Sequence, residues 1–524
     1  SPVVLQSTLC AGVQRDPRFT PAAIRAARSH PRARGLAGNK SVQQNTGIHR
    51  ALQPVAKART EVDEHYLVAE TEAPADPQLR RMGRRPQRDQ SQRLYVSVQA
   101  KFALALIVSL VWTVVSTLLA LPWLHDLAAV VSWPVAIFAV GGIAVLPGMM
   151  NAFLVTGLLL DRRPPRKPLL DYPAISILVA AYNEESSIAD TLRSIAQQEY
   201  PGEFEVLVID DGSKDATAVI VEANPYPWAR LLRQPRNMGK AAALNRGLAE
   251  SKHDYIITLD ADSFLFGDAL ARLVERYFSD PSSTRAVAGT MLVRNSRKNW
   301  VTRAQEWDYF HGIAAIKRVQ SLFQGTMVAQ GAFSIYDREA LVEIGGWQDC
   351  VGEDIVLTWA MLVRGWRVGH AEDACCFTNV PDNLRQFVKQ RQRWSRGMME
   401  AFRQHPRILL APRMSTLFVW WNVLFPWLDL AYTLCFIPGV ILACFGIFWV
   451  AGPMTLVLLP MALLMNYVMY RIGVGMFASQ NLRVRRNVPG FLVYAFTYSL
   501  ILQPASVAGY LSELLGTRKT WGSK

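Results

Sequence analysis

At 524 residues and 51% hydrophobic, the chain is too long for one small soluble domain, and its apolar residues are spread unevenly along it. The formal net charge is +14, and 16 basic against 8 acidic side chains fall in the first hundred residues, so over half of the excess belongs to one segment. The six cysteines show neither zinc-type C-x-x-C spacing nor a disulfide framework, which excludes a disulfide-stapled secreted domain and fits a reducing cytoplasmic face.

Residues 1–100, rich in Arg, Pro, Gln and Ala and without apolar periodicity, read as a basic, disordered cytoplasmic tail. The run Arg80, Arg81, Arg84, Arg85, Arg88 has the charge to bind anionic lipid headgroups or nucleic acid, or to serve only as a solvated arm that fixes topology. The tail is no secretory signal, since its apolar stretch comes far too late, and the opening Ser1 points to a missing or processed start. Residues 101–161 read as two transmembrane helices, 102–124 and 133–160, nearly uncharged and long enough for a hydrocarbon core that takes roughly 20 helical residues. No Lys or Arg lies near His125 and Asp126 between them, whereas Arg162, Arg163, Arg166 and Lys167 follow the second. By the positive-inside rule the tail and the middle of the chain are cytoplasmic.

From 171 to 400 the pattern is that of a soluble α/β domain. Strand-like runs at Ile175–Val179, Val206–Ile209 and Tyr255–Leu259 alternate with helical segments, and each ends in polar or acidic residues. Ligands of open α/β sheets bind at the carboxyl ends of the strands, so these side chains are expected to meet in one crevice. Residues 401–426 read as an interfacial helix and 427–515 as three or four further transmembrane helices, with spans near 427–450, 453–470 and 489–511. The segment around Arg471, Arg483, Arg485 and Arg486 and the tail 516–524 both look cytoplasmic, yet one apparent span separates them, leaving five or six crossings open.

The residues with chemistry form short motifs. Asp260 and Asp262 follow a buried strand, where hard carboxylate oxygens could bridge Mg2+ or Mn2+ to a diphosphate; read alone, such a pair is more often a turn or a helix cap. Asp211, in Ile209-Asp210-Asp211-Gly212-Ser213, could accept a hydrogen bond from a nucleobase or simply close a tight turn. Lys240 sits at a helix start, where an ammonium and backbone N–H groups suit phosphate, or solvent. Glu353 and Asp354 open a helical pattern, where acidic residues also favour the helix dipole. Gln390, Arg393 and Trp394 share one helix face by i, i+3, i+4 spacing, joining a donor fork suited to phosphate with an indole suited to stacking on a sugar, or packing as a plain surface pair.

In this order, and between these spans, the motifs resemble the processive family 2 glycosyltransferases over roughly residues 100–515. The resemblance implies an α/β GT-A (Rossmann-like) catalytic domain inserted between α-helical transmembrane segments. It implies that Tyr182 and Glu184, with Asp211, hold the uridine part of a UDP-sugar, and Ala180 and Lys240 are counted with them as substrate-binding residues. Asp260 and Asp262 match the metal motif, Asp262 being the direct ligand, and Asp354, beside Glu353, matches the general base. Gln390, Arg393 and Trp394 match the Gln-x-x-Arg-Trp signature, and Gly331, in Gln330-Gly331-Ala332-Phe333, is similar to the strand bordering the acceptor sugar. Within the family the likeness is strongest to bacterial poly-β-1,6-N-acetylglucosamine synthases, through Glu400-Ala401-Phe402, Asp354-Ile355 and the Arg518-Lys519-Thr520-Trp521 ending. Chitin, hyaluronan and cellulose synthases share the core motifs. Gly352, where Thr is usual, and the long basic tail are departures. The implied activity is inverting, UDP-sugar-dependent synthesis of an exopolysaccharide of the biofilm kind at the bacterial inner membrane, with a growing polysaccharide as acceptor. Membrane lipids are expected partners, a small accessory membrane subunit is admitted, and no nucleic acid is expected.

Overall fold

The computed structural model describes residues 96–162, 166–452, 459–478 and 486–517. The basic tail with its arginine run, and the last residues from 518, lie outside the described residues.

The middle of the chain folds into an eight-stranded sheet: β1 (Ile175–Ala181), β2 (Phe204–Asp210), β3 (Ala229–Arg233), β4 (Tyr255–Asp260), β5 (Ser263–Leu265), β6 (Thr284–Val293), β7 (Phe333–Asp337) and β8 (Arg367–Thr378). The order is β3-β2-β1-β4-β7-β6-β8-β5. The first four strands are parallel, β7 runs antiparallel to both β4 and β6, and β6 pairs parallel with β8. This is the Rossmann-like mixed sheet of a GT-A domain. The order reverses between β1 and β4, which opens a crevice at their carboxyl ends.

Two long helices precede the sheet, α1 (Val98–Val130) and α2 (Trp133–Leu160). Within and after it come α3 (Ile188–Ala196), α4 (Thr217–Glu222), α5 (Lys240–Glu250), α6 (Ala269–Ser279), α7 (residues 300–322, with a π turn at Asp308–Ala314), α8 (Arg338–Glu343), α9 (Glu353–Val363) and α10 (Leu384–Gln404). The chain ends in α11 (Thr416–Cys444), α12 (Leu459–Ala478) and α13 (Val488–Leu514). Among the described residues, α1, α2, α11 and α13 are long and apolar enough to cross a membrane.

The buried strands β1, β2 and β4 read as near-continuous apolar runs because helices cover both faces of a parallel sheet. One core, around Ile177, Val208, Leu270 and Ile335, fills one face of the sheet. The other joins Leu178 and Leu207 of the sheet and Trp359 of α9 to Phe153 of α2 and Phe418 of α11. Phe153 meets Phe102, Phe323, Phe418 and Trp421 at centroid distances of 5.5 to 5.9 Å, so the roots of α1, α2 and α11 are packed onto α7. Each aromatic pair adds about 0.5–1.5 kcal/mol beyond its buried area.

One membrane segment is drawn differently from expectation, and a second makes contacts that the sequence did not announce. The boundary drawn at residue 426 falls inside one continuous helix, α11, which runs through Pro426 and a π turn at Tyr432–Phe436. Proline removes one backbone donor without obliging a helix to stop, and Phe418, Trp421 and Leu428 bury both halves. The helix expected at 489–511 is present as α13, but both its ends contact the catalytic domain. Asn487, its N-cap, donates to the Arg303 carbonyl at 3.0 Å and accepts from Trp307 Nε1 at 2.9 Å, while Glu513 pairs with Arg396 and Arg403 of α10 at 3.4 and 3.0 Å. Between these ends a Cβ at Gly509 would lie 1.9 Å from the Ser395 hydroxyl and 2.5 Å from the Gln392 carbonyl, so α13 presses directly on α10.

Candidate functional site

The loops after β1 and β2 interlock through side chains that replace missing strand partners. Asn183, at φ +55°, donates its backbone N–H to the Ser213 hydroxyl and accepts from Lys214 N–H, both at 2.9 Å. Glu184 N–H donates to Thr217 Oγ1 at 2.7 Å, and the Glu184 carboxylate accepts from Ser187. Asp210 accepts from Ser213 N–H at 3.1 Å. Gly212, at φ +72°, leaves no room for a Cβ, which would lie 2.7 Å from the Arg236 carbonyl carbon. Tyr182 is half-buried beside this lattice, and Ala180 lies in β1 between Ile209 and Asp260 in register.

Asp211 anchors the backbone of a neighbouring loop. Its two carboxylate oxygens accept the backbone N–H groups of Met238 and Gly239, each at 2.8 Å, and the residue is only 2% exposed. Burial pushes its carboxyl up, while the two amides pull it down. Asp211 thereby fixes the loop that delivers Lys240, the first residue of α5, to the crevice.

Lys240 is the centre of the charge cluster. Its ammonium lies 2.7 Å from Asp260 Oδ1 and 3.4 Å from Glu353 Oε1. Burial alone would lower it, but Asp260, Glu353 and Asp354 outweigh that and hold it above the ordinary lysine range. Burial pushes the Glu353 carboxyl up to about 6, against Lys240 and with Asp354. Gly331 passes so close that a Cβ there would lie 2.8 Å from the ammonium, and Asp260 N–H donates to the next carbonyl, Ala332. Lys240, Asp260, Gly331 and Glu353, which are far apart in sequence, thus share one small volume. Asp354, one residue beyond Glu353 in the first turn of α9, is partly exposed and accepts from the adjacent Ile355 N–H at 2.8 Å.

Asp262 stands at the start of β5, where Thr378 Oγ1 at the end of β8 reaches it at 3.5 Å. The described residues hold no group of three His, Cys, Asp or Glu side chains arranged around one metal position. Asp260 and Asp262 nevertheless supply hard oxygen donors, and a cation that keeps water and phosphate oxygens as its other ligands needs no more than one or two carboxylates. The donor set fits magnesium or manganese carried with a diphosphate.

The helix α10 closes the site. Gly352, the N-cap of α9, packs on Gly397: a Cβ on Gly352 would lie 2.4 Å from the Gly397 Cα, and Gly352 N–H donates to Glu400 at 2.9 Å. Glycine at 352 therefore reflects backbone contact between α9 and α10. Arg393 has no ion pair among the described residues, although its charge acts on Glu353 and on Tyr309. The Gln390 and Gln330 side-chain oxygens are buried without a hydrogen-bond partner. Trp394 is 40% exposed.

Three residues here escaped the sequence analysis. Tyr309, in the π turn of α7, is pushed up to about 12 by burial and feels Asp262, Arg391 and Arg393. Lys317, also on α7, is 9% exposed, and burial lowers it to about 7 with Asp354 pulling the other way. Arg391 lies inside the Gln-x-x-Arg-Trp signature yet is 2% exposed. A π turn is a recurrent marker of functional sites, but nothing in a single sequence announces one.

The sequence model of glycosyl transferase family 2 matches residues 176–345. Poly-beta-1,6-N-acetyl-D-glucosamine synthase of Staphylococcus aureus (strain COL) is 35% identical over 228 residues, 43% of this chain and 54% of that protein. The synthase of the same name from Staphylococcus epidermidis is 34% identical over 225 residues, with the same two coverages. The chain thus spans about half the length of the curated relatives it matches. A mannosyltransferase from Pyrobaculum calidifontis, solved in complex with GDP-Man and Mn2+, aligns at 20% identity and a TM-score of 0.49 over 76% of this chain and all of that one.

Proposed function

We propose that this chain, which carries a glycosyltransferase family 2 domain at residues 176–345, is a processive inverting β-glycosyltransferase. It polymerises a UDP-sugar, UDP-N-acetylglucosamine by the names of its relatives, and passes the product across the inner membrane. The observation that carries this reading is the meeting of Lys240, Asp260 and Glu353 within hydrogen-bonding and ion-pair distance, directly under the helix that bears Gln390, Arg393 and Trp394.

The loops after β1 and β2, with Tyr182, Glu184 and the Asp211-anchored segment, form the nucleotide side. Asp354 takes the proton from the acceptor hydroxyl as that oxygen bonds to the anomeric carbon. The bond from that carbon to the phosphate oxygen breaks, and its electron pair leaves with UDP. Lys240 and Arg393 supply fixed positive charge where the diphosphate gains negative charge. A divalent cation held by Asp262 and Asp260 would add counter-charge to the same diphosphate. One displacement reverses the anomeric centre, so an α-linked donor yields a β-linked product. Trp394 gives the acceptor an apolar stacking face, and the unpartnered oxygens of Gln390 and Gln330 are ready acceptors for sugar hydroxyls.

The membrane reading follows from charge and contact together. Although α13 is long and apolar enough to cross, both its ends lie against the catalytic domain, so it runs along that face; α1, α2 and α11 then cross, and the segment that carries α12 returns the chain, which keeps the Arg-rich segments on the cytoplasmic side. Single cysteines introduced at Asn487 and at Thr517 are both expected to react from the cytoplasmic face only; labelling of either one from outside refutes this topology.

The activity is tested by UDP release from the full chain reconstituted in lipid, offering UDP-N-acetylglucosamine, UDP-glucose and UDP-glucuronate singly and in pairs with Mg2+ or Mn2+. Release with UDP-N-acetylglucosamine alone, accompanied by long polymer and lost in Asp354→Asn, is the expected result. Release with another donor reassigns the sugar to a cellulose or hyaluronan type. A single sugar added to lipid makes the chain a non-processive transferase.

A further inference from the structure

Beneath the exposed indole of Trp394 lies a buried ion pair that the reaction above does not use. Arg391 of α10 and Asp308 in the π turn of α7 have side chains 2% and 0% exposed, with Nη2 3.1 Å from Oδ2. Tyr498 of α13 completes the group: its hydroxyl donates to Asp308 Oδ2 at 2.9 Å and accepts from Arg391 Nη2 at 2.8 Å. The guanidinium carbon stands 4.1 Å from the centroid of the Trp394 ring and 4.9 Å from that of Phe387. Three elements distant in sequence therefore meet on one side chain.

A buried pair of this kind is a poor source of stability, because apolar side chains of similar volume serve as well or better; its best-supported use is to specify one arrangement. Here the arrangement is that of Trp394. An indole 40% exposed to solvent would otherwise be free to turn about its two side-chain torsions. The guanidinium, fixed by Asp308 and Tyr498, stands over the ring at cation–π distance and restrains it. The exposed part of the indole is then held at one orientation.

We propose that Arg391 is the positioning residue of the acceptor site: pinned by Asp308 and Tyr498, it orients the Trp394 indole on which the acceptor sugar stacks, and so makes α13 part of the acceptor-binding machinery. This rests on the reading of Trp394 as the acceptor platform. Lysine cannot replace Arg391, because a point charge cannot bridge Asp308 and Tyr498 while lying flat on an indole.

The test uses the full chain in lipid vesicles, with UDP-N-acetylglucosamine as donor and a short β-1,6-linked N-acetylglucosamine oligomer as acceptor. Tyr498→Phe removes one oxygen from the buried group and keeps its volume; Arg391→Lys keeps the charge. Both are expected to raise the acceptor KM by about tenfold, the scale of one lost hydrogen bond to a charged group. Product should shorten, while the donor KM stays within about twofold, a split that a general loss of folding would not produce. Trp394→Ala should show the same acceptor defect, and adding Tyr498→Phe to it should cost nothing further. Equal losses for donor and acceptor, or undiminished additivity with Trp394→Ala, would reduce the group to a structural brace and overturn the proposal. If Trp394→Ala alone leaves the acceptor KM unchanged, the platform reading fails and the proposal with it. If Trp394→Ala raises it and neither other variant does, only the positioning role fails. Should Arg391→Lys not fold, Tyr498→Phe decides.

Discussion

The two sides of this site, which the proposed function assigns to nucleotide and to acceptor, are built on opposite plans. On the nucleotide side, polar side chains are consumed by the backbone: Asp211 takes two loop amides, Asn183 ties β1 to the loop after β2, and Glu185 accepts from Ala216 N–H at 3.0 Å. On the acceptor side, polar groups are buried and left for a ligand, as with the Gln390 and Gln330 oxygens, or are held by other side chains, as with Arg391. A nucleotide is the same at every turnover, so a preformed cradle costs little afterwards. Under the proposed function a growing sugar chain must bind and then slide, which favours a stacking face and hydrogen-bonding groups that can change partners.

The sharpest way to separate the two sides is to remove the proposed base between them. Asp354→Asn should lower turnover by about 10²–10⁴-fold, the usual range for general base catalysis, with donor affinity kept; UDP release alongside UDP binding reads both. A large loss of donor affinity would place Asp354 on the nucleotide side instead.

Next in size is the nucleotide cradle. Asp211→Ala leaves the Met238 and Gly239 amides without their buried acceptor, and the penalty of about 1–3 kcal/mol should appear as weaker UDP binding, measured by titration calorimetry. Acceptor KM should change little if the two sides are independent.

Gly352→Thr probes the seam between them. The new Cβ would meet the Gly397 Cα at 2.4 Å, and overpacking of this kind costs about 1–3 kcal/mol. A lowered melting temperature together with reduced turnover is expected. An unchanged protein would mean that α9 and α10 can part without harm.

The smallest effect is in pH. Glu353 has its carboxyl raised to about 6, so it is ionised at neutral pH and takes up a proton as pH falls through about 6, losing its attraction for Lys240. The acid limb of the rate profile should therefore show a step of a few-fold near pH 6, which Glu353→Gln removes. A limb that persists unaltered in that variant would assign the step to another group.

Much of this arrangement could be read from the chain. The strands at 175, 206 and 255 were visible because a sheet covered on both faces demands continuous apolar runs, and the acidic residues at their ends had to gather where parallel strands terminate. The roles were less visible. Asp211 has the same residue type and the same strand-end position as Asp260, yet one anchors a loop and the other holds an ammonium, because only the neighbouring loop decides which donor arrives. The apolar length of α11 was plain, but its continuity through Pro426 was not, since proline permits a break without compelling one.

By itself the sequence determined the class of the protein: membrane-length helices flanking an α/β domain, and a set of acidic and basic motifs in a specific order. Hydrophobic periodicity and turn chemistry act over a few residues, so they are written locally. Tertiary structure alone decided that Lys240 would sit between Asp260 and Glu353, that Gly352 would touch Gly397, and that Tyr498 would reach Arg391 from the last helix. These contacts join residues up to about a hundred or more positions apart, and their energies depend on burial and on partners that exist only once the chain has closed on itself.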